Sequence, residues 1–197
     1  MELILASSSP RRRKLLCQAG FVFRVVNPQL EEECSAALGQ SAIERVRALS
    51  LAKARSVAPN FRQAVVLGAD TLVALGQQVI GKARDRQHAR QILSSLSGST
   101  HQVITALALI FAPDGRTLVE HDTTSLTMAQ LSTEQIDNYL CNDHWHGKAG
   151  AYALQEEDGF ISNVEGSFSN VVGLPLELFE RMLGELLPCR LLSEIKL

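Results

Sequence analysis

A run of serines and arginines near the start of the chain has the composition of an anion site. Three serines at positions 7–9 are followed by Pro10 and by three arginines at positions 11–13. Serine followed by proline is typical of the first positions of a helix. The unpaired N–H groups and positive dipole end of such a helix attract a phosphate, and small residues let it approach the backbone. The segment therefore predicts a phosphate site that includes Ser7.

Helical spacing distinguishes the arginines of this segment. Arg12 lies three residues before Leu15 and four before Leu16, and Arg11 lies four before Leu15. Residues at this spacing share a helix face, so both arginines should border a crevice beside the buried face. Either could hold a phosphate through two parallel hydrogen bonds, whereas Arg13 should point to solvent. A solvated basic helix end is the alternative for the whole segment.

A carboxylate interrupts a long apolar segment. Asp70 lies within residues 64–75, which are otherwise rich in valine, leucine and alanine. A buried carboxylate is costly unless a cation or hydrogen bonds meet it. We therefore interpret Asp70 as a functional acid, with a structural aspartate at a strand end as the alternative. Gly68 lacks a side chain two positions earlier, so we expect a ligand to approach the strand there.

Two lysines are weaker candidates for the same anion. Lys53 lies in an otherwise apolar helical column and either extends to solvent or points a cation into a pocket. Lys82 ends residues 76–82, which have the spacing of a phosphate loop. Ala83 stands where such a loop needs serine or threonine, and the segment better fits a strand leaving a turn. We reject the phosphate loop and keep Lys82 as a candidate phosphate contact.

Two further segments have weaker patterns. Residues 144–146, His-Trp-His, resemble a metal-binding tract, but two histidines without a third ligand are typical of a polar loop. Residues 31–33 are three glutamates, most simply a solvated acidic loop. Alternatively they supply an oxygen ligand to magnesium.

The composition narrows the class of protein. The chain has 197 residues, 46% of them hydrophobic, and a net charge of -2, which indicates a folded protein and argues against general nucleic-acid binding. Its four cysteines form no CxxC pair, which favours a reducing compartment. We find no apolar run long enough for a membrane span and no signal-peptide pattern, so we expect a cytoplasmic protein.

Hydrophobic periodicity and capping residues predict the elements that position these side chains. Strands are expected over residues 2–6, 64–75, 101–112 and 117–128, and helices over residues 10–19, 41–57, 85–96, 132–140 and 175–187. Residues 149–172 should form strands and turns. This mixture indicates an α/β or α+β fold.

Several short motifs together resemble the Maf family of nucleotide pyrophosphatases. They occur in the family's order and extend the resemblance over nearly the whole chain. The motifs are LASSSPRR at 5–12, LAKA at 51–54, GADT at 68–71, GK at 81–82, KAGAY at 148–152 with Gln155, and GSFSNVVGLP at 166–175.

The resemblance implies a single Maf/Ham1-like domain over residues 1–197. Its fold would be α/β, with an elongated mixed β-sheet flanked by helices and a cleft between two lobes. The implied reaction hydrolyses a nucleoside triphosphate, dTTP or UTP, to the monophosphate and pyrophosphate with Mg²⁺ or Mn²⁺. Modified pyrimidine nucleotides stay open as substrates, and a homodimer is implied. The alternative function is a nucleotide-binding regulator of division or septum formation without significant turnover.

The resemblance also implies roles for individual residues. Asp70 would be the general base and a metal ligand, with Glu32 as the acidic partner in the metal region. The phosphate site would be lined by Ser7, Arg11, Arg12, Lys53 and Lys82. The choice of base would depend on Arg11, Thr71 and Gln155.

Three residues depart from the family pattern. Ala83 replaces a usual proline, and Glu156 replaces a usual glycine and adds negative charge near the base pocket, which could alter the substrate range. The acidic loop carries a third glutamate, Glu33, so the metal contact could belong to a neighbour of Glu32.

Overall fold

A seven-stranded mixed sheet forms the frame of the described part of the chain. The structure, a computed structural model, describes residues 1–29, 41–142, 145–152, 159–192 and 194–196. The strands are β1 (Glu2–Ala6), β2 (Arg24–Val26), β3 (Ala64–Leu75), β4 (Gln78–Ile80), β5 (Thr100–Phe111), β6 (Arg116–Met128) and β7 (Ile161–Glu165).

The sheet carries helices on both faces. The α-helices are α1 (Pro10–Gln18), α2 (Ala42–Val57), α3 (Arg86–Leu96), α4 (Thr133–Cys141), α5 (Phe168–Val172), α6 (Leu176–Leu186) and α7 (Cys189–Leu192). The predicted capping box of Ser132 and Gln135 opens α4, and Asp85 accepts a hydrogen bond from the N–H of His88 at the start of α3. Local capping chemistry therefore sets these helix boundaries as the sequence predicts.

The strands follow the order β2-β1-β3-β5-β6-β7, and β4 also pairs with β3. β1 runs parallel to β2 and β3, whereas β3, β5, β6 and β7 pair antiparallel. The predicted α/β fold, an elongated mixed sheet flanked by helices, is confirmed.

One edge of β3 is shared by two strands that do not meet. β1 pairs with β3 as far as the register of Ala6 with Gly68, and β4 pairs from the register of Ile80 with Val73. Among the described strands, none pairs with residues 69–72 on this side, although β5 pairs with them on the other. The sheet therefore has an opening beside the centre of β3.

Apolar cores lie on both faces of the sheet and on both sides of the opening. Alternate residues of β3 point to opposite faces. Leu67 packs with residues of α1 and α6, whereas Val66 packs with Ala54 and Val57 of α2. Beyond the opening, another cluster joins α3 and α4 to the sheet through Val73, Leu93, Val103, Leu126, Ile136 and Leu140. Val172 and Val73, which belong to two of these clusters, also border the opening.

The prediction of strands and turns over residues 149–172 is wrong in part. This stretch contains β7, but it also contains the five-residue helix α5. The hydroxyl of Ser167 accepts a hydrogen bond from the N–H of Asn170 at the start of α5, and Gly173 ends the helix at a φ of 110°. These end contacts override the strand preference of two adjacent valines. The short elements β2 and α7 were not predicted.

Residues 76–82 form the predicted hairpin instead of a phosphate loop. Gly76 turns the chain at a φ of 57°, and β4 pairs back onto the end of β3. This conformation suits glycine, because a residue without a Cβ atom adopts a positive φ at little steric cost. Lys82 consequently lies just beyond the end of the hairpin.

Candidate functional site

A cavity of about 660 Å³ lies at the opening between β1 and β4. It brings together segments that are far apart in the sequence. Its walls come from the β1–α1 junction at residues 7–12, from Asp70–Val73 of β3, from one face of α2, from Lys82, and from residues 146–149. Every predicted phosphate-site residue lines this cavity: Ser7, Arg11, Arg12, Lys53 and Lys82.

Asp70 and Lys53 form a buried ion pair in the wall of the cavity. Lys53 Nζ donates to Asp70 Oδ1 over 2.7 Å, and the two residues are 6% and 8% exposed. The lysine in the apolar column therefore points inward instead of extending to solvent. A buried carboxylate with a charge-assisted hydrogen bond is compensated and held in one orientation.

Gly68 allows a helix, not a ligand, to approach the strand. A Cβ atom at Gly68 would lie 2.2 Å from the carbonyl oxygen of Ser50 and 2.7 Å from the backbone nitrogen of Ala54. The expectation of a ligand at Gly68 is therefore wrong, because the backbone of α2 occupies that space. The close packing lets α2 bring Lys53 within reach of Asp70.

Neighbouring residues of β3 reach one cavity from opposite faces of the sheet. Asp70 points toward α2, and Thr71 points to the other face, since side chains alternate along a strand. Both line the cavity because the opening beside residues 69–72 connects the two faces. An uninterrupted sheet would separate these side chains.

Hydrogen bonds hold Arg12 in the wall opposite α2. Its Nε donates to the carbonyl oxygen of Gly173 over 2.8 Å, Nη1 to Ser7 Oγ over 3.2 Å, and Nη2 to Thr71 Oγ1 over 3.0 Å. The residue is 8% exposed. Arg12 therefore joins the segment after β1, the strand β3 and the segment after α5 at the edge of the cavity.

A chain of hydroxyl groups continues from Arg12 into the protein. Thr105 Oγ1 donates its single hydroxyl proton to the carbonyl oxygen of Asn170. In the 2.9 Å hydrogen bond between Thr71 and Thr105, Thr71 is therefore the donor. Thr71 Oγ1 accepts from Arg12 at the same time. Its proton is used inside the protein, so the Thr71 hydroxyl can offer a nucleotide only an acceptor.

Asn170 fixes the far end of this chain. Its Nδ2 donates to the carbonyl oxygen of Val103 over 3.0 Å and to Thr124 Oγ1 over 2.9 Å, and the residue is fully buried. A buried network with these partners restricts the conformations of the segments that carry it. The motif at residues 166–175 therefore supports Arg12 through the backbone of Asn170 and Gly173.

α1 begins at the serine–proline junction that the sequence predicts. Ser9 occupies the N-cap position and Pro10 follows it, but the Ser9 side chain makes no capping hydrogen bond. Arg11 is partly exposed at the cavity, and Arg13 is exposed, as the helical spacing predicts. The first N–H groups of α1 therefore receive no capping hydrogen bond from Ser9.

The opposite wall joins the β3–β4 hairpin to residues 146–150. Lys82 forms an isolated antiparallel bridge with Ala149, and the N–H of Gly150 donates to the carbonyl oxygen of Gly81 over 3.3 Å. Lys148 lines the cavity beside Lys82 and adds a cation that was not among the predicted phosphate ligands. This wall therefore carries two ammonium groups.

A buried pair of aromatic residues supports the same wall. His101 Nε2 lies 2.5 Å from the hydroxyl of Tyr152, and His101 is 1% exposed. Burial lowers the pKa of His101 to about 4 and raises the pKa of Tyr152 above its ordinary value. His101 is therefore neutral at pH 7 and holds the ring of Tyr152 at the cavity wall.

Several predicted residues lie outside the described residues, and their roles stay predictions. They are the metal-region glutamate Glu32 with its neighbours Glu31 and Glu33, the base-pocket residues Gln155 and Glu156, and His144.

The described residues offer a divalent metal few protein ligands. They contain no group of three histidine, cysteine, aspartate or glutamate side chains that could hold a metal ion. Magnesium commonly binds through one or two carboxylates and the phosphates of its substrate. One carboxylate oxygen of Asp70 accepts a hydrogen bond from Lys53, and Asp70 lines the cavity. Asp70 therefore fits a magnesium site that combines a carboxylate with substrate phosphates.

None of the helices formed by the described residues is long and apolar enough to span a membrane.

Comparison with known proteins places the chain in one group. A family model described as Maf-like protein matches residues 2–186. The chain is 44% identical over 185 residues to a dTTP/UTP pyrophosphatase of Symbiobacterium thermophilum, covering 93% of each chain. It is 42% identical over 184 residues to a dTTP/UTP pyrophosphatase of Moorella thermoacetica, covering 93% of this chain and 94% of the relative.

Among solved structures, a HAM1 protein from Coxiella burnetii matches with a TM-score of 0.47 and 16% identity, over 66% of this chain and 74% of that one.

Proposed function

The chain belongs to the Maf family, and from this premise we propose that it hydrolyses nucleoside triphosphates, dTTP and UTP above all, to the monophosphate and pyrophosphate. The observation that carries the proposal is the buried pair of Asp70 and Lys53 in a cavity whose other walls hold Arg11, Arg12 and Lys82. A carboxylate that can take a proton lies among cations that can bind a polyphosphate. The enzyme would act as one domain over residues 1–197.

Asp70 is the general base of the proposed reaction. Its carboxylate orients a water molecule toward the first phosphorus of the triphosphate and takes a proton from it. The water oxygen forms a bond to that phosphorus as the bond to the bridging oxygen of the second phosphate breaks. The electron pair of the broken bond leaves with pyrophosphate. Lys53 fixes the orientation of Asp70 throughout.

The cations of the cavity bind the phosphate tail. Arg11 and the start of α1 contact it from one side, and Lys82 contacts it from the hairpin side. Arg12 and Ser7 are already bonded to each other and to the protein, so they add a fixed positive edge. Charges held in place before binding stabilise the developing negative charge without reorganisation.

A divalent cation, Mg²⁺ or Mn²⁺, completes the proposed site. Asp70 would hold it together with Glu32, whose position lies outside the described residues. When bound, the ion neutralises phosphate charge and makes its bound water more acidic. We expect chelation by EDTA to abolish pyrophosphate release and added Mg²⁺ or Mn²⁺ to restore it.

The base pocket is assigned to Arg11, Thr71 and Gln155. Thr71 contributes an acceptor, because its proton is donated to Thr105. A pyrimidine with a donor at the facing edge, such as the N3–H of thymine or uracil, complements an acceptor. This chemistry agrees with the substrates named for the relatives.

Pyrophosphate release from a panel of triphosphates tests the proposal. The panel contains dTTP, UTP, dCTP, dATP, dGTP and modified pyrimidine triphosphates, each with Mg²⁺ or Mn²⁺. We expect dTTP and UTP to give pyrophosphate and monophosphate in equal amounts. Tight binding without turnover would instead indicate the regulator of division, which no observation on this chain favours.

We also propose a cellular compartment, the kind of partner and an oligomeric state. Cys17, Cys141 and Cys189 are free and exposed, which favours a reducing compartment such as the cytoplasm. The substrate is a free nucleotide, with neither nucleic acid nor a membrane as a partner. A homodimer stays a prediction, and sedimentation velocity measures it.

A further inference from the structure

Arg45 carries a buried nitrogen that the protein leaves unsatisfied. Its Nε is shielded from solvent and has no hydrogen-bond partner among the residues that the structure describes. A buried N–H without a partner is costly and is rare in folded proteins. A rotation of the side chain that brings this N–H to an acceptor bound in the cavity would remove the penalty.

The position of Arg45 on α2 directs it to the cavity. Arg45, Leu49 and Lys53 follow one another at intervals of four residues, so they lie on one face of the helix. All three line the cavity. Eight residues of helix separate Arg45 from Lys53 by about 12 Å along the axis. Arg45 therefore lies on the same wall as the catalytic pair but toward one end of the cavity.

The other arginines of α2 have different surroundings. Arg47 lies close enough to Glu120 to help lower the pKa of that carboxyl group, after the larger effect of Arg181. Arg55 is exposed and borders a separate surface hollow. Arg45 has no ion pair with any residue in the described ranges. Its charge is therefore available for a bound anion.

We propose that Arg45 is a further polyphosphate-binding residue that contacts the terminal phosphates, the part of the substrate released as pyrophosphate. The inference rests on the proposed function, because it takes Asp70 and Lys53 to mark the first phosphate. A guanidinium group two helical turns away on the same wall then faces the distal end of the tail. Arg45 supplies charge-assisted hydrogen bonds there.

Binding measurements on three ligands test the inference without relying on turnover. Calorimetry compares the wild type, Arg45→Gln and the matched control Arg55→Gln, which removes the same charge from an exposed position of the same helix. The ligands are the non-hydrolysable α,β-methylene analogue of dTTP, inorganic pyrophosphate and dTMP. We expect Arg45→Gln to weaken the first two about tenfold or more, the scale of a lost charged hydrogen bond, and to leave dTMP unchanged.

Other outcomes would overturn the assignment. Equal weakening of all three ligands would place Arg45 at the nucleoside end, and no weakening would show that Arg45 serves the protein alone. Arg45→Lys keeps the charge and should recover part of the affinity, which separates lost binding from lost folding. Absence of pyrophosphate release by the wild type would defeat the proposed function, whereas the ratio of pyrophosphate to dTMP affinity tests Arg45 independently.

Discussion

Lys53 Nζ lies 2.7 Å from Asp70 Oδ1, and both residues are less than one-tenth exposed. The pair joins the C-terminal half of α2 to the middle of β3 at the opening in the sheet. The two residues depend on each other, because either charge alone would be buried without compensation. Stability and catalysis are therefore linked at this contact.

Breaking the pair from the lysine side should destabilise the fold. Lys53→Met leaves the Asp70 carboxylate buried and unpaired, and we expect the free energy of unfolding in urea to fall by about 3–5 kcal/mol. The double variant with Asp70→Asn removes both charges and should recover part of this loss. A loss in the double variant equal to the sum of the losses in Lys53→Met and in Asp70→Asn alone would show that the two side chains are not coupled.

Packing at Gly68 gives a second prediction. Gly68→Ala places a methyl group 2.2 Å from the Ser50 carbonyl oxygen, so α2 must move away from β3. We expect a loss of about 1–3 kcal/mol of unfolding free energy, the usual cost of overpacking a core. Gly81→Ala, where a Cβ atom has open space, is the matched control for the stability measurement. A normal melting temperature with a raised KM would restore the view that Gly68 serves ligand access.

The hydroxyl chain gives a third prediction. Thr71→Val removes the acceptor of Arg12 Nη2 and the donor to Thr105 while keeping the shape of the side chain. We expect a loss of about 1–3 kcal/mol in stability from the unsatisfied partners, together with a raised KM. Thr71→Ser keeps the hydroxyl and should resemble the wild type. If valine and serine behave alike in both measurements, Arg12 does not depend on this chain.

Acid sensitivity gives a fourth prediction. Burial lowers the pKa of His101 to about 4 from its ordinary 6.5, so the unfolded chain binds a proton between these values that the folded protein does not. The contribution of His101 to stability is fully present above pH 6.5 and is lost as the pH falls toward 4, by up to about 3 kcal/mol. His101→Gln should flatten this part of the curve of unfolding free energy against pH. An unchanged slope would contradict the burial of a neutral imidazole.

Much of the site could be predicted from local sequence. Ser7 and Arg11 carry the signals of an anion-binding helix start, and Asp70 is conspicuous as a charge in an apolar strand. These signals lie within a few neighbouring residues. The structure accordingly brings the predicted phosphate-site residues to one cavity.

The remaining features depend on contacts between distant segments. Asp70 and Thr71 alternate across β3, so their access to one cavity requires that β1 end before β4 begins. The register of those strands is set by pairing between distant segments, so it cannot be predicted from the sequence of either segment alone. Arg45 was missed for a different reason: its spacing from Lys53 was visible, but only the structure shows that its Nε is buried and unpartnered.

Single-turnover hydrolysis of dTTP by Asp70→Asn tests the central proposal most directly, with binding of the α,β-methylene analogue measured on the same preparation. Asparagine keeps the shape and a hydrogen-bonding oxygen for Lys53 but cannot take the proton from water. We expect the rate to fall by about 10²- to 10⁴-fold, the usual effect of losing a general base, while the affinity for the analogue falls much less. A folded Asp70→Asn protein that hydrolyses dTTP at the wild-type rate would contradict the role assigned to Asp70.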